Sequence, residues 1–232
     1  MQKAGGAYAS GTVGYVLSVL RMVIAGGLLW WNFDALTSPE RVWIAFFFAL
    51  LIIRLPYHEQ SKSVDTAVDQ REGQERVLIA GIFLTIWPLP LLYLVTKGGP
   101  FDVLSFANYT LLFDTSVLGL ILFVPFAYLF WRSHADLGRN WSPSLEMREE
   151  HQLVANGVYK RVRHPMYAAL WIYAIAQPLL VQNLIAGGAV VVAFAALYVL
   201  RVPKEEEMML REFGDEYRAY MERTGRIFPK FS

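Results

Sequence analysis

The sequence predicts an all-α polytopic membrane bundle of about six transmembrane helices, ending in a C-terminal helical hairpin and a cytoplasmic amphipathic helix. Three observations predict it. Apolar residues make up 55% of the chain and charged residues only 18%, against about 25% charged in an ordinary soluble domain. The apolar residues fall into blocks that match a ~30 Å hydrocarbon core at about 1.5 Å per helical residue. The basic residues lie mostly on one side of those blocks, which orients the bundle.

The first block, Val13 to Trp31, is too long for a signal-peptide core and has no small-residue cleavage site behind it, so it reads as a retained span. The second, Val42 to Leu55, is short and is expected to begin near Pro39. The third, Val77 to Thr96, contains Pro88 and Pro90, tolerable in a membrane helix as a kink. The fourth runs from about Tyr109 to Trp131 and contains Asp114 and Pro125. The fifth and sixth, Met166 to Val181 and Leu184 to Val199, are separated only by Gln182 and Asn183, which predicts an antiparallel hairpin.

With six spans, 18 of the 21 Lys and Arg residues fall on one side. Only Arg41 and Lys97 lie opposite, and Arg21 sits inside the first span. The positive-inside rule then places both termini and both long loops in the cytoplasm. Trp30, Trp31, Trp43, Tyr57 and Trp131 read as interfacial belt residues, whereas Trp141 sits in a polar loop. Beyond Lys204, Met208, Met209, Phe213, Tyr217, Tyr220 and Met221 recur at helical spacing, with charges between them. That amphipathic helix suits either a membrane surface or a lid over the span ends.

There is no cysteine, which excludes disulfides, thiolate zinc sites and covalent cysteine chemistry. The four histidines show no close ligand spacing, so no metal is expected; His58 and His134 read as residues of solvated loops. Nucleic acid is not an expected partner. Arg21 and Asp114 lie inside predicted spans, where they either pair with each other or serve an acceptor site.

Two polar stretches flank the hairpin. The first runs from Glu150 through His151, Leu153, Val154, Asn156-Gly157, Tyr159 and Arg163-His164-Pro165 to Tyr167. Pro165 suits the first position of a helix, and a helix N-terminus attracts anions. The second is Arg201-Val202-Pro203-Lys204-Glu205-Glu206-Glu207. Arg201 and Glu205 share a face if the helix continues through Pro203. The hairpin starts and ends on one side, so it brings Arg163, His164 and Tyr167 near Arg201, Glu205 and Glu206. Either stretch alone reads as membrane-edge decoration; joined by one hairpin, they read as a site.

The pattern Gly157-x-Tyr159-x-x-Val162-Arg163-His164-Pro165-x-Tyr167, then Arg201-x-x-x-Glu205-Glu206 and Phe213-Gly214-x-x-Tyr217-x-x-Tyr220, resembles the isoprenylcysteine carboxyl methyltransferase family, which includes phospholipid methyltransferase-like members. The resemblance covers about residues 119 to 232, including Leu137-Gly138-Arg139-Asn140-Trp141-Ser142. Residues 109–232 are therefore expected to form the catalytic region, and residues 1–108 a helical segment without a family motif.

The resemblance implies an integral membrane S-adenosylmethionine-dependent methyltransferase with a lipophilic acceptor, favouring an isoprenylcysteine-like carboxylate over a lipid amine or small thiol. It implies that His151, Leu153, Val154, Gly157 and Tyr159 line one wall of the cofactor pocket. Arg163, His164, Pro165 and Tyr167 would hold the methionine or ribose part, and Glu205 and Glu206 its polar groups. Arg201 would position an anionic acceptor, with Glu205, His164 or Tyr167 available as proton acceptors for an amine or thiol. Val158 departs from the family, where proline is common at that place. Two further readings stay open. A sterol-reductase-type NADPH enzyme would have a similar hairpin, but the chain has no dinucleotide glycine pattern. A transporter would suit kinked helices, but the halves show no repeat.

Overall fold

The computed structural model describes residues 23–24, 26–62, 66–69, 73–138, 146–148 and 152–230, with the backbone alone for 58–62, 66–69 and 146–148. Most of the first predicted span, together with Arg21, Arg139, Trp141 and His151, lies outside the described residues. Residues 26–31 are helical, and Trp30 and Trp31 are strongly exposed.

Helix α1, Ser38–Lys62, begins beside Pro39 as expected. Glu40 lies in its first turn and its carboxylate accepts the Thr37 N–H at 2.7 Å, satisfying a donor that has no intrahelical partner. The helix runs beyond Pro56, so His58 is helical rather than in a loop. Trp43 is not a belt residue. It is fully buried, stacked on Phe47 with ring centroids 5.5 Å apart.

The double proline divides the third span into α2, Gly73–Ile86, and α3, Pro88–Thr96. Proline has no N–H, so Pro90 leaves the Ile86 carbonyl without its i+4 donor. The fifth span supplies one from outside: the Tyr173 hydroxyl donates to Ile86 O at 2.8 Å. Gln177, one turn further, donates from Nε2 to Thr85 O at 2.9 Å and to Ala186 O at 3.0 Å. The break is thus stapled by two side chains, which explains a buried glutamine in an apolar core.

Helix α4, Ser116–Leu137, starts later and ends later than the sequence predicted. Asp114 stands before it, exposed, and its carboxylate accepts the Ser116 N–H at 2.7 Å. Aspartate is at ease in such a position, because it can satisfy an orphan N–H there. The expected placement of Asp114 inside a span helix is therefore corrected. At the other end the extra turns carry His134 into the interior, where it has no exposure and its Nδ1 lies 2.7 Å from Phe130 O. His134 is a core residue, not a loop residue.

The hairpin pairs α5, Pro165–Leu180, with α6, Ala189–Arg223. Its connection is longer than two residues, running over 181–188. Asn183 organises it: Oδ1 accepts the Ile185 and Ala186 N–H groups at 3.0 and 2.8 Å, and Nδ2 donates to Leu104 O and Asn108 Oδ1. Helix α6 continues through Pro203 and is interrupted only at Gly214, whose φ is +52°. Of the two readings of the tail, it packs as a lid, with Tyr217 and Tyr220 buried.

Helices α4 and α5 make the most extensive pairing, with α1 against both, and α2 lies against α6. Phe46, Phe126, Phe130 and Tyr173 form the aromatic centre. A short antiparallel pair, β1 (Thr66–Asp69) with β2 (Glu146–Arg148), joins the two long polar loops, an addition to the all-α expectation. Among the described residues two helical stretches are long and apolar enough to cross a membrane, Gly73–Thr96 and Ser116–Leu137, and Pro165–Leu180 is a shorter apolar helix. The count of six spans is not reached by this measure. The outer faces of α2 and α4 do expose large apolar side chains such as Phe83, Leu84, Ile121 and Val124.

Removing the Tyr173 hydroxyl orphans a part-buried carbonyl. Tyr173→Phe is expected to lower stability by about 1–3 kcal/mol. The loss should shrink when Pro90→Ala restores an N–H to the helix, as measured by unfolding in detergent.

Candidate active site

Pro165 begins α5, and its fixed φ suits the first helical position. The residues before it reach this point through a 3₁₀ turn, Gly157–Lys160, that depends on one close approach. The Gly157 φ is +54°, and a Cβ there would fall 2.1 Å from the Asp136 carboxylate. That carboxylate accepts the Val158 N–H at 2.9 Å and pairs with Arg132 at 2.5 Å. Asp136 thus fixes the turn from the last turn of α4, although no motif in the sequence pointed to it.

Tyr159 is a buried pillar. Its hydroxyl donates to Ser133 O at 3.1 Å, and its carbonyl accepts the Tyr220 hydroxyl at 2.6 Å. Leu153 and Val154 lie in an irregular stretch, half-buried.

The centre of the cluster is Glu206, which is buried. Its Oε1 lies 3.1 Å from Arg163 Nε and 3.2 Å from His164 Nε2. Arg226 grips it in bidentate fashion, with Nη2 to Oε2 at 2.6 Å and Nε to Oε1 at 3.2 Å. Burial opposes ionisation of this carboxyl. The hydrogen bonds from His164 and Arg226 and the charge of Arg163 outweigh it and hold the pKa at about 2. In this arrangement Glu206 faces protein partners, so it organises the site from beneath.

Glu205, the neighbouring carboxylate, is more open, with its side chain 29% exposed. The Tyr167 hydroxyl donates to it at 2.8 Å, and His164 Nδ1 lies 3.8 Å away. His164 therefore stands between the two carboxylates, one ring nitrogen toward each. Tyr167 is buried and stacked on Phe194, so its hydroxyl is aimed by packing. Arg201 sits one turn before Glu205, Nε to Oε2 at 3.9 Å, and its Nη1 lies 3.5 Å from Glu75 of α2.

The tail closes the cluster as a strap. Arg163 N donates to Gly225 O and His164 N to Arg226 O, each at 2.8 Å, and Gly225 N donates back to Arg161 O at 3.1 Å. The Arg163 guanidinium also reaches Met221 O at 3.1 Å and Thr224 O. Arg226, Thr224 and Gly225 went unnoticed in the sequence, because a three-residue strap after a helix has no periodicity to betray it.

The structure thus gathers Arg163, His164, Pro165 and Tyr167 against Arg201, Glu205 and Glu206, as the hairpin predicted. Gly157 and Tyr159 lie behind this cluster as supports, and His151 is outside the described residues. Among the described residues no group of three or more His, Asp or Glu side chains is placed to hold a metal ion. Chemically, the cluster offers one open carboxylate, an imidazole, an aimed phenol and a guanidinium.

A comparison with known proteins matches residues 120–211 to the isoprenylcysteine carboxyl methyltransferase (ICMT) family. The protein-S-isoprenylcysteine O-methyltransferase B of Arabidopsis thaliana is 32% identical over 89 residues, 38% of this chain and 45% of that protein. The protein-S-isoprenylcysteine O-methyltransferase of Schizosaccharomyces pombe is 26% identical over 119 residues, 50% of each chain. This chain spans about half the length of the curated relatives it matches. A solved structure described as a eukaryotic intramembrane Ras methyltransferase, ICMT, aligns over 96% of this chain and 83% of that chain. Its TM-score is 0.49 and its identity 17%.

Two outcomes test this geometry. Glu206→Ala strands Arg163 and Arg226 and is expected to cost about 3–5 kcal/mol of stability. Because the Glu206 pKa is depressed from 4.5 to about 2, its contribution is present above about pH 4.5 and is lost as pH falls toward 2. Unfolding followed against pH should show that loss in the native protein and not in Glu206→Gln. Gly157→Ala should destabilise by more than ~1 kcal/mol, since both φ and the Asp136 contact oppose it.

Proposed function

We infer that this chain, whose residues 120–211 match the model of the isoprenylcysteine carboxyl methyltransferase family, is an integral membrane methyltransferase. The methyl donor would be S-adenosylmethionine and the acceptor a lipophilic molecule, an isoprenylcysteine-like carboxylate. The observation that carries the reading is the hairpin itself, which sets Tyr167 and His164 against Glu205 and Glu206 at 2.8 and 3.2 Å. Residues 109–232 would form the catalytic region. The bias of basic residues supports a cytoplasmic active site.

The donor set suits the cofactor. Glu205, the more open carboxylate, would take an ammonium or ribose hydroxyl. Leu153 and Val154, half-buried, would offer an apolar edge to adenine. The first turn of α5 presents backbone N–H groups that lack intrahelical acceptors, fit for a carboxylate. Glu206 would act from below, holding Arg163 and His164 in place. When bound, S-adenosylmethionine supplies a methyl group on a positively charged sulfur.

The chain's own work is then alignment and exclusion of water. A carboxylate acceptor needs no proton removed. Arg201 would hold the acceptor oxygens, and Tyr167, locked by Phe194 and Glu205, would keep the slot narrow. The lid half of α6, pinned by the Tyr220 hydroxyl on Tyr159 O, would keep water out. The exposed apolar flanks of α2 and α4 suit an acceptor that arrives through the bilayer.

Calorimetry on detergent-purified protein should show S-adenosylmethionine binding, weakened about tenfold or more by Glu205→Gln, equivalent to ~1.4 kcal/mol. Labelled methyl transfer to a farnesylated cysteine with a free carboxylate should follow, and should fall when that carboxylate is amidated. A folded protein that binds no cofactor at millimolar concentration would overturn the reading.

A further inference from the structure

Helices α2 and α6 pack along two matched stripes. On α2 the stripe is Leu78, Ile79, Ile82 and Ile86, and on α6 it includes Val190, Phe194 and Leu197. Continued by helical spacing, each stripe ends in a charge: Glu75 on α2, Arg201 on α6. Glu75 is buried, with 5% exposure, in a seam where an apolar residue would pack with less desolvation. Its carboxylate meets Arg201 Nη1 at 3.5 Å, while Glu205 stands 3.9 Å from Arg201 Nε on the other side. Charge-assisted pairs close to about 2.7–2.9 Å when nothing else restrains them. Here the guanidinium lies between two carboxylates, Glu75 on one side and Glu205 on the other. Arg54 of α1 lies within electrostatic reach of Arg201, and Tyr167 within reach of Arg201, Glu75 and Glu205. Four helices therefore converge on this point, two of them outside residues 120–211.

We propose that Glu75 is a positioning residue that holds the Arg201 guanidinium in the orientation that receives the acceptor carboxylate, so that α2 supplies one wall of the acceptor subsite. This rests on the methyltransferase reading above. Without the pull of Glu75, the guanidinium closes onto Glu205 four residues along the same helix. The acceptor then loses its anchor.

The experiment is a double-mutant cycle in the full-length protein. Kinetics are read with a farnesylated cysteine and labelled S-adenosylmethionine, and cofactor affinity by calorimetry. Glu75→Gln should lower kcat/KM for the acceptor about tenfold, mostly through KM, with cofactor affinity changed by less than about threefold. In the Arg201→Lys background, which keeps a cation and lacks the fork, Glu75→Gln should cost less than about twofold. Equal costs in both backgrounds, or no change in acceptor KM, overturn the proposal while leaving the methyltransferase reading intact. Cofactor binding without methyl transfer by the native protein overturns that reading and the proposal with it.

Discussion

A carboxylate removed from water must find cations, and Glu206 finds three residues that can supply positive charge or N–H donors: Arg163, His164 and Arg226. Those three come from two distant stretches of chain. Arg163 and His164 precede α5, Arg226 follows the lid helix, and Glu206 itself lies midway along α6. Meeting the charge of one buried group therefore brings the hairpin entrance, the last helix and the tail to one place. The contacts of His164 follow from that convergence. With His164 held toward Glu206, its other ring nitrogen turns to Glu205, and Tyr167 meets the same carboxylate.

The same requirement, that no buried polar group stand alone, shapes the frame around the site. Two prolines break the third span, and the carbonyl groups near the break are answered by Tyr173 and Gln177 of α5. Helix α5 thus stabilises the break with its middle and builds the site with its start. Asp136 acts likewise from the end of α4, holding the turn that delivers Tyr159 and, beyond it, Arg163. Polar side chains in an apolar bundle are few, and most of those described here join elements far apart in sequence.

The two halves of the chain share this centre. The family resemblance begins near residue 120, yet Glu75 and Arg54 from the earlier helices reach the neighbourhood of Arg201. Packing of α2 on α6 brings them there through a seam of aliphatic residues. A charge at the end of such a seam is costly to place, and its presence marks that end as more than a packing surface.

Apolar blocks, proline positions and the motif around the hairpin were legible in the sequence because each is local: a period, a missing N–H, a fixed spacing. They determined roughly where the apolar helices lie, though α4 begins seven residues later than the pattern placed it and α6 runs on well past Val199, and that Arg163, His164 and Tyr167 would meet Glu205 and Glu206. Only the tertiary structure decided that Glu206 faces inward, that Tyr159 is a pillar, that His134 and Trp43 are core residues and that Asp114 lies outside α4. It also brought in Asp136, Glu75 and Arg226, whose partners lie 22, 126 and 20 residues away. Such roles are set by which charge or carbonyl another element leaves unanswered, and that is known only once the helices have packed.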